Sequence, residues 1–225
     1  MPHRLPLFPL GTVLFPGAAL PLHVFEERYR RLVEDVLQAP EGEPRVFGVV
    51  GIELGHEVGP DSAHRVFDVG CTAEVRTARR RADGRYDLVV EGGTRFRVDR
   101  RDDPDADTPF VRADTTPLPD EVGPGAEDYA ERVRRRFGVY RERLRRVGVP
   151  AEPPEDLPAD PLPLSYAVSA AMVVDQADQQ ELLEADHAAA RLELAAGLLR
   201  RENRVLASLP VLPAGRFLRH EVNLN

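Results

Sequence analysis

Lysine is absent from this chain: all 30 of its Lys+Arg side chains are arginine. That absence removes the phosphate-loop lysine, the Schiff-base lysine and the Ser–Lys dyad from the chemistries these residues can carry. Cysteine occurs once, at Cys71, which excludes an intramolecular disulfide and leaves no cysteine set for zinc. Its surroundings, VGCTAEV, alternate as a strand does and hold no charged cluster to lower a thiol pKa. A buried strand thiol is therefore expected rather than a nucleophile. No apolar run approaches the ~20 residues that cross a bilayer, so no membrane partner is expected. MPHRLPLF also lacks the long apolar core of a secretory signal, and a cytoplasmic location is the expectation. Basic charge is in deficit, with a formal net charge of -8. A general nucleic-acid binder needs a dominant basic surface, although Arg79, Arg80 and Arg81 and, further on, Arg134, Arg135 and Arg136 form local basic runs.

What is present suits a globular α+β chain. A length of 225 residues with 42% hydrophobic content is enough to bury a core in one large or two small domains. LPLFPLGTVLFPGAALPLHV reads as two short strands, the second from Ala19 to Val24, around Pro/Gly turns. A helix is predicted to open near Glu26, because Phe25, Tyr29, Leu32, Val33 and Val36 recur at helical spacing and form its buried face. Arg45–Glu53 is nearly continuously apolar and is placed centrally in a sheet. Phe67–Arg79 alternates through Val69, Cys71, Ala73 and Val75. Asp83 and Gly84 predict a type I′ hairpin turn, followed by strands Arg85–Glu91 and Thr94–Arg100 on either side of a glycine bulge at Gly92 and Gly93. Phe110–Thr116 supplies a last strand and Pro117–Pro124 a linker.

Beyond the linker the period becomes helical. Tyr129, Val133, Phe137, Tyr140, Leu144 and Val147 mark one buried stripe, opposite an arginine-rich face read as solvated. Glu127 and Asp128 near the start and Arg145 and Arg146 near the end suit the helix dipole. Pro150–Pro163 is expected as an extended connection, Leu164–Val174 as a helix in the middle of a bundle, and Asp178 as the cap of a short helix carrying Leu182 and Leu183. Ala188 to Leu206 marks a long final helix, and Arg216–Asn225 a mobile tail.

PLFPLGTVLFPG followed by PLHVFEERYRRLVEDV closely resembles the opening of the Lon protease N-terminal domain. DGRYDLVVEGGTRFRV resembles the hairpin motif of the same family, and the likeness continues through LSYAVSAAMVVD and AAARLELAAGLLRRE. The resemblance implies an N-terminal PUA-like small β-barrel or curved sheet with one helix over residues 1–118. A C-terminal helical bundle would follow over 119–225, with the proline-rich connection at 150–163. It further implies a noncatalytic module that binds unfolded peptide segments or a protein partner, with an adaptor role in protein quality control. The ATPase and Ser–Lys protease parts of the full enzyme could not be carried by these residues. Candidate partner-binding residues are Leu14, Phe15, Glu27, Arg28 and Arg31, with core packing as the alternative for Leu14 and Phe15.

Two other readings are carried. PUA-like folds can bind RNA, and Arg79–Arg85 would form a basic hairpin tip. A hydrolase would need a nucleophile coupled to a base. Ser62 lies near His64, whereas Ser165, Ser169 and Ser208 have helical contexts and no evident base. No catalytic residue, cofactor or metal site is expected. His56, Glu57, Asp61 and His64 have no spacing that would gather them, and DDPDAD at 102–107 lacks the glycine and glutamate of a calcium loop.

Overall fold

The computed structural model describes residues 3–40, 42–55, 65–105, 107–149 and 157–208. The candidate loop at 56–64 with Ser62, most of the proline-rich connection and the C-terminal tail lie outside the described residues. The chain is α+β, with strands β1 (His3–Leu10), β2 (Ala19–Val24), β3 (Val46–Leu54), β4 (Arg65–Arg80), β5 (Tyr86–Asp102) and β6 (Arg112–Pro117). Helix α1 (Glu27–Leu37) falls between β2 and β3, and α2 (Ala126–Arg146), α3 (Pro161–Ala171), α4 (Gln176–Glu184) and α5 (Ala188–Ser208) follow the sheet.

The strands form a six-stranded sheet in the order β2-β5-β4-β3-β1-β6, and β6 also pairs with β5. The ladder of pairings thus returns to β5. β1 runs parallel to β3, with Phe8 opposite Val49, and every other pairing is antiparallel. β3 is interior, as its unbroken apolar run requires.

β5 is one continuous strand rather than two, because the glycines bend it without ending it. The register with β4 slips between Cys71 and Ala73, opposite Gly92 to Arg95, and places the expected bulge in mid-strand. Gly92 is required there for a second reason. Its amide donates to Ala18 O at 2.9 Å and its carbonyl accepts from Gly17 N at 2.8 Å. A Cβ on Gly92 would lie 2.1 Å from Phe15 O. The hairpin turn also differs from expectation. Gly84 alone takes positive φ, at 81°, and its amide donates to Arg81 O at 3.0 Å while Arg81 N bonds Arg85 O at 2.8 Å. This is a three-residue loop with a left-handed glycine, not the type I′ turn that needs positive φ at both central residues.

α1 covers one face of the sheet through Tyr29, Leu32, Val33 and Val36, with the Tyr29 ring stacked on Phe8 at 4.3 Å between centroids. Phe25 is 45% exposed, not part of that buried face, because it precedes the first helical turn. Buried Cys71 and Ala73 join this core. A second core lies among α2, α3, α4 and α5 and receives Phe15 and Val69 from the sheet side.

Three helix boundaries correct the sequence reading. α3 begins at Pro161, so Pro161 and Pro163 lie inside its first turn, where the missing amides have no intrahelical partner to lose. α3 ends at Ala171, short of Val174. The cap of α4 is Asp175, whose carboxylate accepts from Asp178 N at 2.8 Å.

Two outcomes follow from this packing. Gly92→Ala should lower the unfolding free energy by about 2–4 kcal/mol, read from a urea midpoint, because Phe15 O must move and Phe15 sits in the helical core. Burial pushes the Cys71 thiol up to about 12, so native protein should alkylate on the order of a thousandfold more slowly than a free cysteine. Labelling at the free-thiol rate in folded protein would contradict that burial.

Candidate functional site

The stretch between β6 and α2, expected as a plain linker, is where the sheet and the helices are tied. Arg95 on β5 is 2% exposed. Its guanidinium donates to Leu183 O at 2.8 Å, Ala185 O at 2.7 Å and Pro119 O at 2.9 Å. Leu183 and Ala185 lie at the end of α4, where carbonyls lack intrahelical partners and the dipole favours a cation. Arg191 on α5 is 0% exposed and takes Leu182 O at 2.8 Å, Ala185 O at 3.0 Å and Ser165 Oγ at 3.2 Å. Two buried arginines therefore share one carbonyl, that of Ala185. On the linker, Glu121 O and Val122 O accept from the first amides of α5, Ala188 N and Ala189 N, at 2.8 and 2.9 Å.

Tyr166 of α3 lies between these cations. The Arg191 guanidinium carbon is 4.1 Å from the ring centroid and that of Arg95 is 5.9 Å away, both within range of the ring's negative face. The Tyr166 hydroxyl donates to Asp120, whose carboxylate oxygen lies 3.6 Å from Arg95 Nε. Burial raises the Tyr166 pKa, opposed by Arg191 and aided by Asp120. Burial also pulls the Arg191 guanidinium down to about 10, which leaves it a cation at neutral pH.

Above this cluster is a cleft of ≈ 630 Å³, within the ~300–1,000 Å³ of ordinary ligand pockets. One wall is the turn Pro16–Gly17–Ala18, and the other is the α3 face presenting Leu162, Ala167 and Ala170. Asp120 and Tyr166 form its polar end, and the rest of the lining is mainly apolar. The turn is held by the Gly17 and Ala18 bonds to β5, and α3 by the arginine cluster, so the same contacts that join the two parts set the width of the cleft.

The sequence-predicted contact residues are not gathered there. Leu14 is 3% and Phe15 1% exposed. As neighbours in an extended chain they point opposite ways, Leu14 into the α1 core and Phe15 into the helical core. Core packing is thus their place, and neither offers a surface contact. Glu27 is exposed on α1, Arg28 bonds Glu26 at 2.9 Å and lies over Tyr29, and Arg31 pairs with Asp35 at 3.3 Å. None of the three lines the cleft.

Several of the other candidates have local partners. At the hairpin tip Arg81 donates to Asp87 at 2.7 Å, and along β4 Arg76 pairs with Glu74 and Glu91. Ser165 Oγ donates to Leu162 O, Ser169 Oγ to Ser165 O and Ser208 Oγ to Val205 O. These hydroxyls donate to carbonyls rather than to a base. In the acidic turn, the Asp105 carboxylate accepts from Asp107 N and Thr108 N. Among the described residues there is no group of three or more His, Cys, Asp or Glu that could hold a metal. Arg95, Asp120, Tyr166 and Arg191 went unnoticed in the sequence. Arg191 alone carried a signal, since it lies three residues after Ala188 and four before Ala195, on the buried stripe of α5.

Arg191→Met should lower the unfolding free energy by about 3 kcal/mol, because it strips buried carbonyls of their donor. Arg191→Lys should recover only part of it, since an ammonium cannot fork to two carbonyls while stacking on Tyr166. Urea melts of both variants measure this, and full recovery by lysine would contradict the geometry.

The family described as the ATP-dependent protease La (LON) substrate-binding domain matches residues 4–201. Lon protease 2 of Myxococcus xanthus is 27% identical over 92% of this chain and 24% of its own length. Lon protease of Anaeromyxobacter dehalogenans is 34% identical over 44% of this chain and 11% of its own. The chain thus spans about a quarter or less of these relatives. Among solved structures, the Lon N-terminal domain protein from Xanthomonas campestris aligns with a TM-score of 0.59 at 23% identity, covering 92% of this chain and 99% of that one. The N-terminal domain of Mycobacterium avium complex Lon protease aligns with a TM-score of 0.66 at 18% identity, over 88% and 98%. With the family match running from β1 into α5, the chain belongs to the Lon substrate-binding domain family.

Proposed function

We propose that this chain is a noncatalytic module that holds unfolded peptide segments or an exposed segment of a protein partner, in the cleft between the Pro16–Ala18 turn and α3. The observation that carries the reading is the cleft itself. It is open, mainly apolar and of ligand size, with a single polar end at Asp120 and Tyr166. Burying apolar side chains there contributes about 25 cal/mol per Å², and the fixed polar end would orient the bound chain. The division into a PUA-like small barrel over 1–118 and a bundle over 119–225 belongs to this proposal, supported by β6 pairing with both β1 and β5. An adaptor role in quality control and a cytoplasmic setting belong to it as well. No helix among the described residues is long and apolar enough to cross a membrane.

Ala170 is exposed on α3 and lines the cleft, so Ala170→Trp fills the cleft without entering the core. In fluorescence anisotropy with a labelled, permanently unfolded carboxymethylated protein, this variant should bind at least about tenfold more weakly than wild type, a difference of about 1.4 kcal/mol. Its thermal midpoint should be unchanged. Equal binding by a folded Ala170→Trp variant would place the peptide elsewhere.

A further inference from the structure

The helical half carries a second concave surface, formed by different residues. α2 and α5 run in the same direction. Tyr129 faces Glu193 near their starts, and Arg143 donates to the Asn203 carbonyl and, at 3.3 Å, to its Oδ1 near their ends. Between them is a groove of ≈ 450 Å³. α2 contributes Arg135, Arg136, Val139 and Arg143, and α5 contributes Arg200 and Arg204 with Asn203 and Ala207. On α2, Arg136, Val139 and Arg143 recur at three and four residues, and on α5 Arg200 and Arg204 are four apart, so the arginines form two facing stripes.

The charge in this groove is incompletely neutralised. Arg135 pairs with Glu131 at 2.7 Å, and Arg136 and Arg143 donate to backbone carbonyls, which leaves their charge in place. Arg200 and Arg204 are exposed and have no carboxylate partner among the described residues. Burial, together with Arg200, Arg132 and Arg135, pushes the Arg136 guanidinium below its ordinary value. Like charges are held together here, in a chain whose net charge is -8.

Val139 sits in the groove and is 47% exposed, and the lining is more apolar than polar because the arginines lie along it by their stems. We propose that the groove between α2 and α5 binds an acidic, extended peptide segment with an apolar residue at its centre. The carboxylates take the two arginine stripes, and the apolar side chain covers Val139 and Ala207. A bare phosphate chain would leave that apolar surface wet, so the observations favour a protein segment over a nucleic acid. Residues 209–225 follow α5 directly but hold Arg216 and Arg219 against one carboxylate, Glu221, and so cannot supply the anionic partner. The inference does not depend on the cleft at α3.

The test is anisotropy of a fluorescein-labelled peptide of Glu and Asp with a central Leu against the full chain. The wild type should bind it, more weakly as salt rises. Binding should fall at least about tenfold in Arg200→Glu/Arg204→Glu, and a peptide with lysine in place of the acids should not bind. Ala170→Trp should leave this affinity unchanged, so failure of the cleft and failure of the groove are separable. Unchanged thermal melting verifies the fold of the charge-reversed variant, and Arg200→Ala/Arg204→Ala gives the same direction of loss should reversal prevent folding. The inference is overturned if reversal leaves peptide binding intact or if a poly-U oligonucleotide binds wild type more tightly than the peptide does. Binding that appears only after truncation beyond Ser208 would make the chain's own end the occupant. Self-association abolished by the same reversal would make it a second copy, and either result overturns the inference.

Discussion

The rest of the structure depends on one buried side chain, Arg95, which leaves the sheet and ends among the carbonyls of the helices. A guanidinium at 2% exposure would cost several kcal/mol to bury alone. It is tolerated because Leu183, Ala185 and Pro119 present three carbonyls to it, and because Asp120 supplies a counter-charge at 3.6 Å. The arrangement serves both sides of the interface at once, since the end of α4 and Pro119 lie where the two terminal nitrogens of Arg95 need acceptors and β5 offers a donor where α4 has spare carbonyls. Arg191 repeats the solution from the helical side and shares the Ala185 carbonyl.

This tie has a geometric consequence for recognition. Phe15 reaches into the helical core while Leu14, its neighbour, reaches into the other. The turn after them is clamped to Gly92, in the same strand that carries Arg95. Across the gap, Tyr166 is held by both arginines and by Asp120. The two walls of the cleft are consequently positioned by contacts that are themselves buried, so the opening can stay preformed while its lining remains apolar. A binding site of this kind gains affinity from preorganisation, because the ordering cost is met when the chain folds and not when a peptide arrives.

Much of the fold was legible in the sequence, for reasons that can be named. β2 was placed at its observed limits because Pro and Gly punctuate it, and the buried stripe of α2 from Val133 through Phe137 and Tyr140 to Leu144 because its apolar residues recur without interruption, although Tyr129 is only partly buried and Val147 caps the helix rather than joining it. What was not legible is what depends on distant partners. The closing of β6 onto β5 and the parallel pairing of β1 with β3 leave no local signal in either strand. Pro161 and Pro163 looked like breakers, and only a helix start makes them acceptable. Leu14 and Phe15 were correctly weighed as possible core, but their opposed directions needed the sheet and the bundle together. The site was the least readable part. Arg95 alternates with Phe96 as any exposed strand arginine would, and Asp120 lies in a segment with the composition of a linker. Their roles arise from burial, which composition does not report.

The central claim is that Arg95 couples the sheet to the α4–α5 junction energetically as well as geometrically. Native-state hydrogen exchange on wild type and Arg95→Met measures it at single amides. The account predicts that Ala188 and Ala189, whose amides bond the linker carbonyls of Glu121 and Val122, lose far more protection in the variant than Cys71 and Val90 within the sheet. An equal loss of protection at all four amides, or none at Ala188 and Ala189, would contradict it.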